Sequence, residues 1–310
     1  MRWEPSASLE TIFKRARIYQ QIRTFFSDRE FLEVDTPVLS KSTNTDAQIA
    51  SIRAFNQHEA LYLQTSPEFA MKRFLAAGSG SIYQICHAFR EAETGRRHNP
   101  EFTLLEWYRV GYDYHALMDE VEVLIDTLSD RKNSYRRVCY RDLLIEYTNV
   151  DITSIQLPEL REKSGELLPS ANTEDLDFDQ CLDLLLSMVV TPCLKGYVFV
   201  YDYPISQAAL ARASVGNPAI AERFELFHDD LELANGFSEL TDAKTQRSRF
   251  DKDNDLRAAK GLPRYPVDEH LLAALESGLP ECAGVALGLD RLLMVLLGLD
   301  SIDQAICFTD

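Results

Sequence analysis

The spacing of apolar side chains divides the chain into helices and strands. Residues 9–26 carry apolar groups at helical spacing along one stripe, which predicts an amphipathic helix. Similar spacing predicts further helices over residues 115–128, 242–260, 268–277 and 290–297. Short apolar runs predict strands at residues 61–63, 81–89, 102–108, 198–201, 224–227, 231–240 and 285–289. Because most strands follow one another directly, we expect an α+β fold with a largely antiparallel β-sheet flanked by helices.

Cap and turn residues refine this pattern. Ser66-Pro67-Glu68 offers an N-cap, a proline at the first helical position and an acid in the first turn, so a helix should begin there and end near Gly78. The strands 81–89 and 102–108 flank a polar stretch, which predicts an antiparallel hairpin with a long tip.

Residues 130–196 are less patterned. They hold acidic loops and one expected helix over residues 175–190. We interpret this stretch as an insertion, at about 130–196, within a single domain covering residues 1–310.

Composition narrows the class of protein. The chain has 310 residues, 45% of them hydrophobic, which is typical of a globular protein and excludes disorder. Its 32 Lys and Arg against 49 Asp and Glu give a net charge of −17, which argues against a broad nucleic-acid surface. The sequence shows no membrane-length apolar run and no signal-peptide layout, and its six cysteines form no CxxC pair. We therefore expect a cytoplasmic protein with free buried thiols and no zinc site.

The polar stretch between the hairpin strands is the first candidate for chemistry. Arg90, Arg96, Arg97 and His98 lie close together in this otherwise acidic protein. Such a cluster is either a solvated hairpin tip or a clamp for polyphosphate, because the planar guanidinium group matches phosphate oxygens.

Three acids form the second candidate. Glu225, Glu232 and Glu239 are spaced by seven residues, and they would converge on one face of a hairpin that turns near residues 228–230. Carboxylates close to phosphate suit Mg²⁺, whereas isolated acids on strands more often face solvent.

Small residues form the third candidate. In residues 284–291, Gly and Ala alternate with aliphatic side chains before Asp290, which should cap a helix, and Arg291, which should begin it. Small residues in a strand permit close approach of a ligand, or they pack against a neighbouring helix.

Together these stretches resemble the catalytic core of class II aminoacyl-tRNA synthetases, specifically the lysyl branch. Residues 31–37 resemble motif 1, which lies at the dimer interface in that family, residues 89–102 resemble motif 2 and residues 288–291 resemble motif 3. Strings typical of the lysyl branch occur at residues 66–68, 97–102 and 235–239, and the resemblance covers roughly residues 9 to 308.

Lysyl-tRNA synthetases also carry an N-terminal anticodon-binding domain. The first core helix here begins near residue 9, so we expect no such domain. The chain thereby resembles the family of elongation factor P–(R)-β-lysine ligases. That resemblance implies ATP and Mg²⁺ as cofactors, lysine or β-lysine as substrate and elongation factor P as the protein acceptor. It also implies a homodimer that needs neither tRNA nor a membrane.

The resemblance assigns roles to individual residues. It implies catalytic roles for Arg90, at the α-phosphate, and for Arg291, which would sandwich the adenine with Phe102, while Arg96 could assist at the outer phosphates. The implied ATP-binding residues are Arg90, Glu91, Ala92, Glu93, Arg97, His98, Asn99, Phe102, Glu232, Leu233, Gly288 and Arg291. The implied amino-acid-binding residues are Ser66, Pro67, Glu68, Tyr108, Asn235, Glu239 and Ala286. Glu239 and Tyr108 would bind the ε-ammonium group, Glu68 the other amine, Asn235 the carboxylate, and Glu225 with Glu232 the Mg²⁺ ion.

Three positions depart from the lysyl pattern. Ser66 and Ala286 stand where lysyl-tRNA synthetases usually have Ala and Gly, and the added bulk could favour a β-amino acid. Ala92 stands where motif 2 usually has a Glu that contacts adenine, and Glu93 could reach that place if the loop bulges.

The main hypothesis is therefore an enzyme that activates lysine or β-lysine as an adenylate and transfers it to a lysine of elongation factor P. The alternatives are a truncated synthetase that charges tRNA and an inactive paralogue that serves as a binding subunit. Pyrophosphate exchange that depends on lysine would separate the active from the inactive cases.

Overall fold

The computed structural model describes residues 3–56, 59–91 and 93–309. The α-helices in this part of the chain are α1 (Leu9–Ser27), α2 (Glu68–Ala76), α3 (Tyr114–Ser129), α4 (Tyr140–Thr148), α5 (Leu157–Leu167), α6 (Phe178–Leu185), α7 (Ala243–Ala259), α8 (Glu269–Gly278) and α9 (Leu289–Leu297). The strands are β1 (Leu32–Glu33), β2 (Leu39–Ser40), β3 (Arg53–Asn56), β4 (Glu59–Leu63), β5 (Ile82–Phe89), β6 (Glu101–Val110), β7 (Tyr135–Cys139), β8 (Tyr197–Pro204), β9 (Ile220–His228), β10 (Leu231–Ser238) and β11 (Cys282–Gly288). Internal contacts divide the chain into two compact units, residues 1–131 with 238–310, and residues 132–237.

The first unit is built on four strands in the order β1-β5-β6-β11. Strand β1 runs parallel to β5, and the other neighbours are antiparallel. Strands β5 and β6 form the predicted hairpin, with Ile82 opposite Tyr108 and Phe89 opposite Glu101. A smaller antiparallel sheet has the order β2-β4-β3.

One face of these strands is covered by helices. The ring of Phe26 in α1 stacks on Tyr83 at 4.4 Å and meets Trp107 edge-on at 5.4 Å. The Trp107 indole donates a hydrogen bond of 3.0 Å to Glu120 in α3. Because side chains alternate along a strand, the two neighbours of Trp107 on β6, Glu106 and Tyr108, project from the opposite face.

Helix α2 begins differently from the prediction. Its N-cap is Pro67, and no side chain caps it, so the expectation that Ser66 is the cap is wrong. The Pro67 carbonyl oxygen instead accepts the first hydrogen bonds of the helix, from Ala70 and Met71. The helix ends at Ala76, and Gly78 then adopts the left-handed region at φ +85°, where glycine is favoured.

Helix α9 also corrects an expectation. Its N-cap is Gly288, so Asp290 lies within the first turn and is not the cap. The Asp290 carboxylate is used elsewhere, because it accepts hydrogen bonds from Thr103 N at 2.6 Å and from Arg15 Nη1 at 2.5 Å. These bonds hold the start of α9 against β6 and α1.

The second unit contains strands in the order β10-β9-β8-β7, of which β7 and β8 are parallel and the others antiparallel. The poorly patterned stretch, residues 130–196, contains β7, α4 and α5 besides the expected helix. That helix is shorter than predicted, because a capping box of Asp177 and Gln180 starts α6 and a π-helical turn, Leu186–Val190, follows it. These elements are short, so the periodicity of their apolar residues was weak in the sequence.

Both units combine helices with largely antiparallel strands, which confirms the α+β prediction. The single domain with an insertion stays a prediction.

The state of the cysteines and the length of the helices test two expectations from composition. All six cysteines are free, as expected, but only Cys181 and Cys282 are fully buried; Cys193 is exposed, so the expectation of a buried thiol is wrong at that position. Among the residues that the structure describes, no helix is both long enough and apolar enough to cross a membrane.

Candidate active site

A buried lysine lies between two of the carboxylates that the sequence assigned to the substrate. The ammonium group of Lys72 in α2 lies 2.7 Å from Glu68 Oε1 and 2.5 Å from Glu239 Oε2. Only 1% of the Lys72 side chain is exposed. Helical spacing of four residues brings Glu68 and Lys72 together, whereas Glu239 follows β10 and is joined to β11 by a hydrogen bond from its N–H to Cys282 O.

A row of polar side chains crosses the strands beside this lysine. Glu106 on β6 lies opposite Gln84 on β5 and opposite Ala286 on β11. Residues that are directly opposite share one face of the sheet, so these three side chains form a row. Tyr108 lies on the same face, two residues further along, and its hydroxyl donates a hydrogen bond of 2.7 Å to Glu106 Oε1.

Several buried oxygen atoms in this pocket accept no hydrogen bond from the described residues. Within the described part of the chain, the buried atoms Gln84 Oε1, Glu106 Oε2 and Glu239 Oε1 have no hydrogen-bond partner. An unsatisfied buried acceptor costs about 1–3 kcal/mol, so these atoms indicate that a ligand supplies donors. A primary ammonium group carries three donors and a positive charge, which suits this acidic pocket.

Burial changes the protonation of the pocket acids. It raises the pKa of Glu239 to about 8, and Glu68 adds to that rise while the Lys72 ammonium opposes it. Burial and the charge of Glu68 also raise the pKa of Glu106 well above its usual range. A cation that binds beside these carboxyl groups would lower both pKa values, because it favours their charged form.

Gly284 on β11 makes the pocket compact. It lies opposite Tyr108, and a methyl group on it would lie 2.5 Å from Glu239 Oε1 and closer still to the Tyr108 ring. Only a glycine allows both side chains to occupy these positions, as the alternation of small residues in this stretch suggested.

The first unit also holds the arginine cluster. Arg90 follows β5, its guanidinium group lies 5.1 Å from the centre of the Phe102 ring, and its Nη1 lies 3.4 Å from Glu93 Oε1. The Arg90 Nε atom is buried without a partner among the residues described, so it can donate to an anion. Glu91 is exposed, and the position of Ala92 lies outside the described residues.

The remaining motif 2 residues form the hairpin tip. Gly95 and His98 pair across the tip, and the Asn99 side chain donates to Glu101 O at 2.6 Å. Arg291 Nε donates to Arg97 O at 3.4 Å, which joins the first turn of α9 to the tip. Arg96 instead bonds to Asp300 O at 2.8 Å and is largely exposed.

The other acids lie in the second unit, on the β9–β10 hairpin. Its turn falls at residues 229–230 as predicted, with Glu225 opposite Asn235 and Glu232 opposite Phe227. Because Glu225 and Phe227 alternate with Leu226, Glu225 and Glu232 share one face. Burial raises the pKa of Glu225, nearby Arg223 lowers it, and Glu232 raises it again.

The Glu225 and Glu232 carboxylates of this hairpin could hold Mg²⁺. Glu225 Oε1 lies 2.5 Å from Arg223 Nη2 and accepts a bond of 3.2 Å from Asn235. No group of three or more potential metal ligands occurs among the described residues. Two carboxylates fit Mg²⁺, which usually takes one or two of them and completes its shell with water and phosphate oxygens. Leu233, also assigned to ATP, is buried on the same strand.

Comparison with known proteins identifies the family. The class II tRNA synthetases (D, K and N) match residues 2–310 of the chain. The chain belongs to this family. An elongation factor P–(R)-β-lysine ligase of Edwardsiella ictaluri (strain 93-146) is 47% identical over 316 residues, which cover 99% of this chain and 97% of that protein. The protein of the same name from Salmonella typhi is 46% identical over 317 residues, with the same coverage.

Three residues of the pocket around Lys72 were not predicted from the sequence. Glu106 interrupts the apolar strand β6 two residues before Tyr108, and a period of two would have placed both on one face. Lys72 follows Glu68 by one helical turn. Gln84 gave no signal of its own, because its place in the row depends on the register between β5 and β6.

Proposed function

We propose that this protein is an ATP-dependent ligase that activates (R)-β-lysine, or lysine, as an aminoacyl-adenylate. It then transfers the acyl group to a lysine ε-amino group of elongation factor P. The names of relatives that are 46–47% identical over almost the whole chain support this proposal. The observation that carries it is the buried acidic pocket around Glu106 and Glu239, whose unpartnered oxygens suit a cationic donor. Because the acceptor is a translation factor, the reaction belongs in the cytoplasm.

Charge determines how the amino acid is recognised. Glu239 and Tyr108 bind the ε-ammonium group, Glu68 binds the other amine, and Asn235 binds the carboxylate. Ser66 and Pro67 border Glu68 at the start of α2. An uncompensated buried charge costs about 3–5 kcal/mol, so amino acids that lack the second amine bind poorly.

The chemistry needs no nucleophile from the protein. A carboxylate oxygen of the amino acid attacks the α-phosphorus of ATP, and the bond to the leaving pyrophosphate breaks. The acceptor amine then attacks the acyl carbon, loses a proton and forms an amide while AMP leaves. Arg90 neutralises charge at the α-phosphate, and Phe102 and Arg291 hold the adenine between them.

The other ATP contacts follow from the motifs. By the same resemblance, Glu91, Glu93 and Asn99 border the nucleotide, Arg97 and His98 bind the outer phosphates, and Leu233 and Gly288 also bind ATP. Glu225 and Glu232 would hold Mg²⁺, which supplies positive charge to the phosphates when bound.

Two residues that are larger than their usual counterparts in lysyl-tRNA synthetases, Ser66 and Ala286, account for a preference for β-lysine. Ser66 is half-buried, and Ala286 lies opposite Glu106 in the pocket row. In β-lysine the amine sits one carbon further from the carboxylate, so added bulk near the α-carbon disfavours lysine. Replacing both residues, Ser66→Ala with Ala286→Gly, should shift the ratio of kcat/KM towards lysine. An unchanged ratio would show that other residues set the preference.

The protein acts as a homodimer in this proposal. Residues 31–37 resemble motif 1, and the first unit exposes several large apolar side chains, namely Leu9, Phe13, Leu32, Val38, Leu39 and Phe55. If these side chains adjoin one another, they form the kind of apolar surface that binds another protein.

The function is tested by incubating the protein with ATP, each lysine isomer and purified elongation factor P, and by measuring the intact mass of the factor. We expect one added β-lysine, and no addition without ATP. Exchange of pyrophosphate into ATP reports the first step alone, and Arg90→Ala should abolish it without unfolding the protein. No exchange with either isomer would refute the ligase; charging of tRNA in place of elongation factor P would support the truncated synthetase.

A further inference from the structure

Lys72 contacts the same two carboxylates that the proposed function assigns to the amines of the substrate. Its ammonium group contacts Glu68 Oε1 and Glu239 Oε2 at once, in a position closed to solvent. These two carboxylates are the ones that the proposed function assigns to the two amines of the amino acid. The protein thus supplies one primary ammonium of its own to a pocket for ammonium groups.

The two oxygens of Glu239 are used differently. Oε2 forms an ion pair with the Lys72 ammonium at 2.5 Å, whereas Oε1 is buried without a hydrogen-bond donor in the described part of the chain and lies beside the gap that Gly284 leaves next to Tyr108. Since Lys72 fixes one oxygen, the carboxylate cannot rotate freely, and its second oxygen keeps a defined direction. A single ammonium group also holds Glu68 and Glu239 at the separation that it can span.

Packing alone does not explain a lysine here. A fully buried ion pair brings little stability compared with well-packed apolar residues, because removing charges from water is costly. The neighbouring acids Glu106 and Glu239 still have unsatisfied oxygens, so Lys72 does not neutralise the cluster. What it does accomplish is to orient two carboxylates and to favour their charged form.

We propose that Lys72 is a positioning residue for amine recognition: by bridging Glu68 and Glu239 it fixes their spacing and directs Glu239 Oε1 towards the substrate ammonium, and so selects diamino acids by the distance between their amines. This inference rests on the proposed function of the same pocket. Two amines that are separated by the matching number of carbons each find a carboxylate, whereas shorter or longer diamino acids lose one of the two contacts.

Lys72→Met tests the role of the charge, because it keeps much of the side-chain volume. Pyrophosphate exchange is measured against the concentration of (R)-β-lysine and of lysine across pH. We expect KM for the amino acid to rise about tenfold or more while KM for ATP is unchanged. The groups that face Glu239 are Lys72 and Glu68 from α2 and Glu106 and Tyr108 from β6. Without the ammonium, the pH at which kcat/KM levels off should move up by about one unit.

Arg73→Met is the matched control. Arg73 is the next residue on α2, it is exposed, and its replacement removes the same positive charge. It should leave both KM values and the pH profile unchanged. A purely structural role for Lys72 would lower thermal stability and kcat but would not move the pH profile.

Lys72→Arg tests the spacing and also covers failure of Lys72→Met to fold. The larger guanidinium group keeps the charge but separates the carboxylates, so the ratio of kcat/KM should shift about tenfold towards lysine, whose amines are one carbon further apart than those of β-lysine. The pH profile should stay that of the wild type. An unchanged ratio in Lys72→Arg, or an unchanged KM and pH profile in folded Lys72→Met, would overturn the inference. Absence of exchange in the wild type would instead refute the proposed function.

Discussion

Gly284 shows how one missing methyl group decides the shape of the pocket. In Gly284→Ala the new methyl group would lie 2.5 Å from Glu239 Oε1 and press on the Tyr108 ring, so one of them must move. Overpacking of this kind costs about 1–3 kcal/mol, which would correspond to a fall of about 5- to 150-fold in kcat/KM for the amino acid. KM for ATP should stay unchanged in pyrophosphate exchange.

Gly216→Ala is the matched control for this change. A Cβ at that position would meet no described atom within 4 Å, and its backbone is not in the left-handed region. It should behave as the wild type. Wild-type amino-acid kinetics in Gly284→Ala would mean that Tyr108 and Glu239 do not bind the amine.

Glu239 gives the pocket a pH dependence. Because burial raises its pKa to about 8, the carboxyl group takes up a proton more readily below that pH and then attracts a substrate ammonium less strongly. The substrate ammonium stays charged up to about pH 10, so kcat/KM for the amino acid should rise towards pH 8, by up to about tenfold per unit, and then level off. Titration calorimetry in two buffers should show a proton released on binding at pH 7. Neither effect should occur in Glu239→Gln.

The start of helix α9 depends on one buried carboxylate. Asp290 joins the helix to Arg15 of α1 and to the backbone of β6, and both side chains are well shielded from solvent. Asp290→Ala leaves the Arg15 charge without its partner, which should lower the free energy of unfolding by about 3 kcal/mol. Because Arg291 is the next residue, KM for ATP should also rise.

Urea denaturation and ATP kinetics check this expectation. Asp303→Ala removes an exposed carboxylate from the short 3₁₀-helical turn Ile302–Gln304 and should change neither quantity. A folded Asp290→Ala protein with wild-type stability would show that the contact with Arg15 contributes little.

Assembly is a property of the whole molecule. Phe13 in α1 is 69% exposed although it is large and apolar, and it belongs to the unit that carries motif 1. Phe13→Asp should weaken the proposed homodimer, because a charge buried at an apolar interface is costly. Sedimentation velocity should then show a monomer at concentrations at which the wild type is dimeric.

Val215→Asp provides the comparison for Phe13→Asp. Val215 is 93% exposed in the second unit, so the same charge there should leave the dimer intact. A monomeric wild type would contradict the homodimer itself, whereas a stable Phe13→Asp dimer would place the interface elsewhere.

Much of the site could be predicted because its signals are local. Arg90 and Arg291 stand in short motifs, and the β5–β6 and β9–β10 hairpins have turns that the sequence marks with polar residues. The helices predicted over residues 242–260 and 268–277 are confirmed to within a residue or two, and Asp242 and Asp268 are their N-caps, which depend only on the next few residues. Ser66 and Asp290 failed as caps because Pro67 and Gly288 take those positions, and Asp290 has partners on distant elements.

The sequence by itself determined the class of fold, most of the strands and helices outside residues 130–196 and the kinds of side chain that carry the chemistry. These follow from periodicity and from motifs that span a few residues. Only the tertiary structure decided that Lys72 lies between Glu68 and Glu239, that Gln84, Glu106 and Ala286 form one row, and that Gly284 makes room for Tyr108. The physical reason is that strand register and helix docking set these contacts, and both join residues that are far apart in the chain.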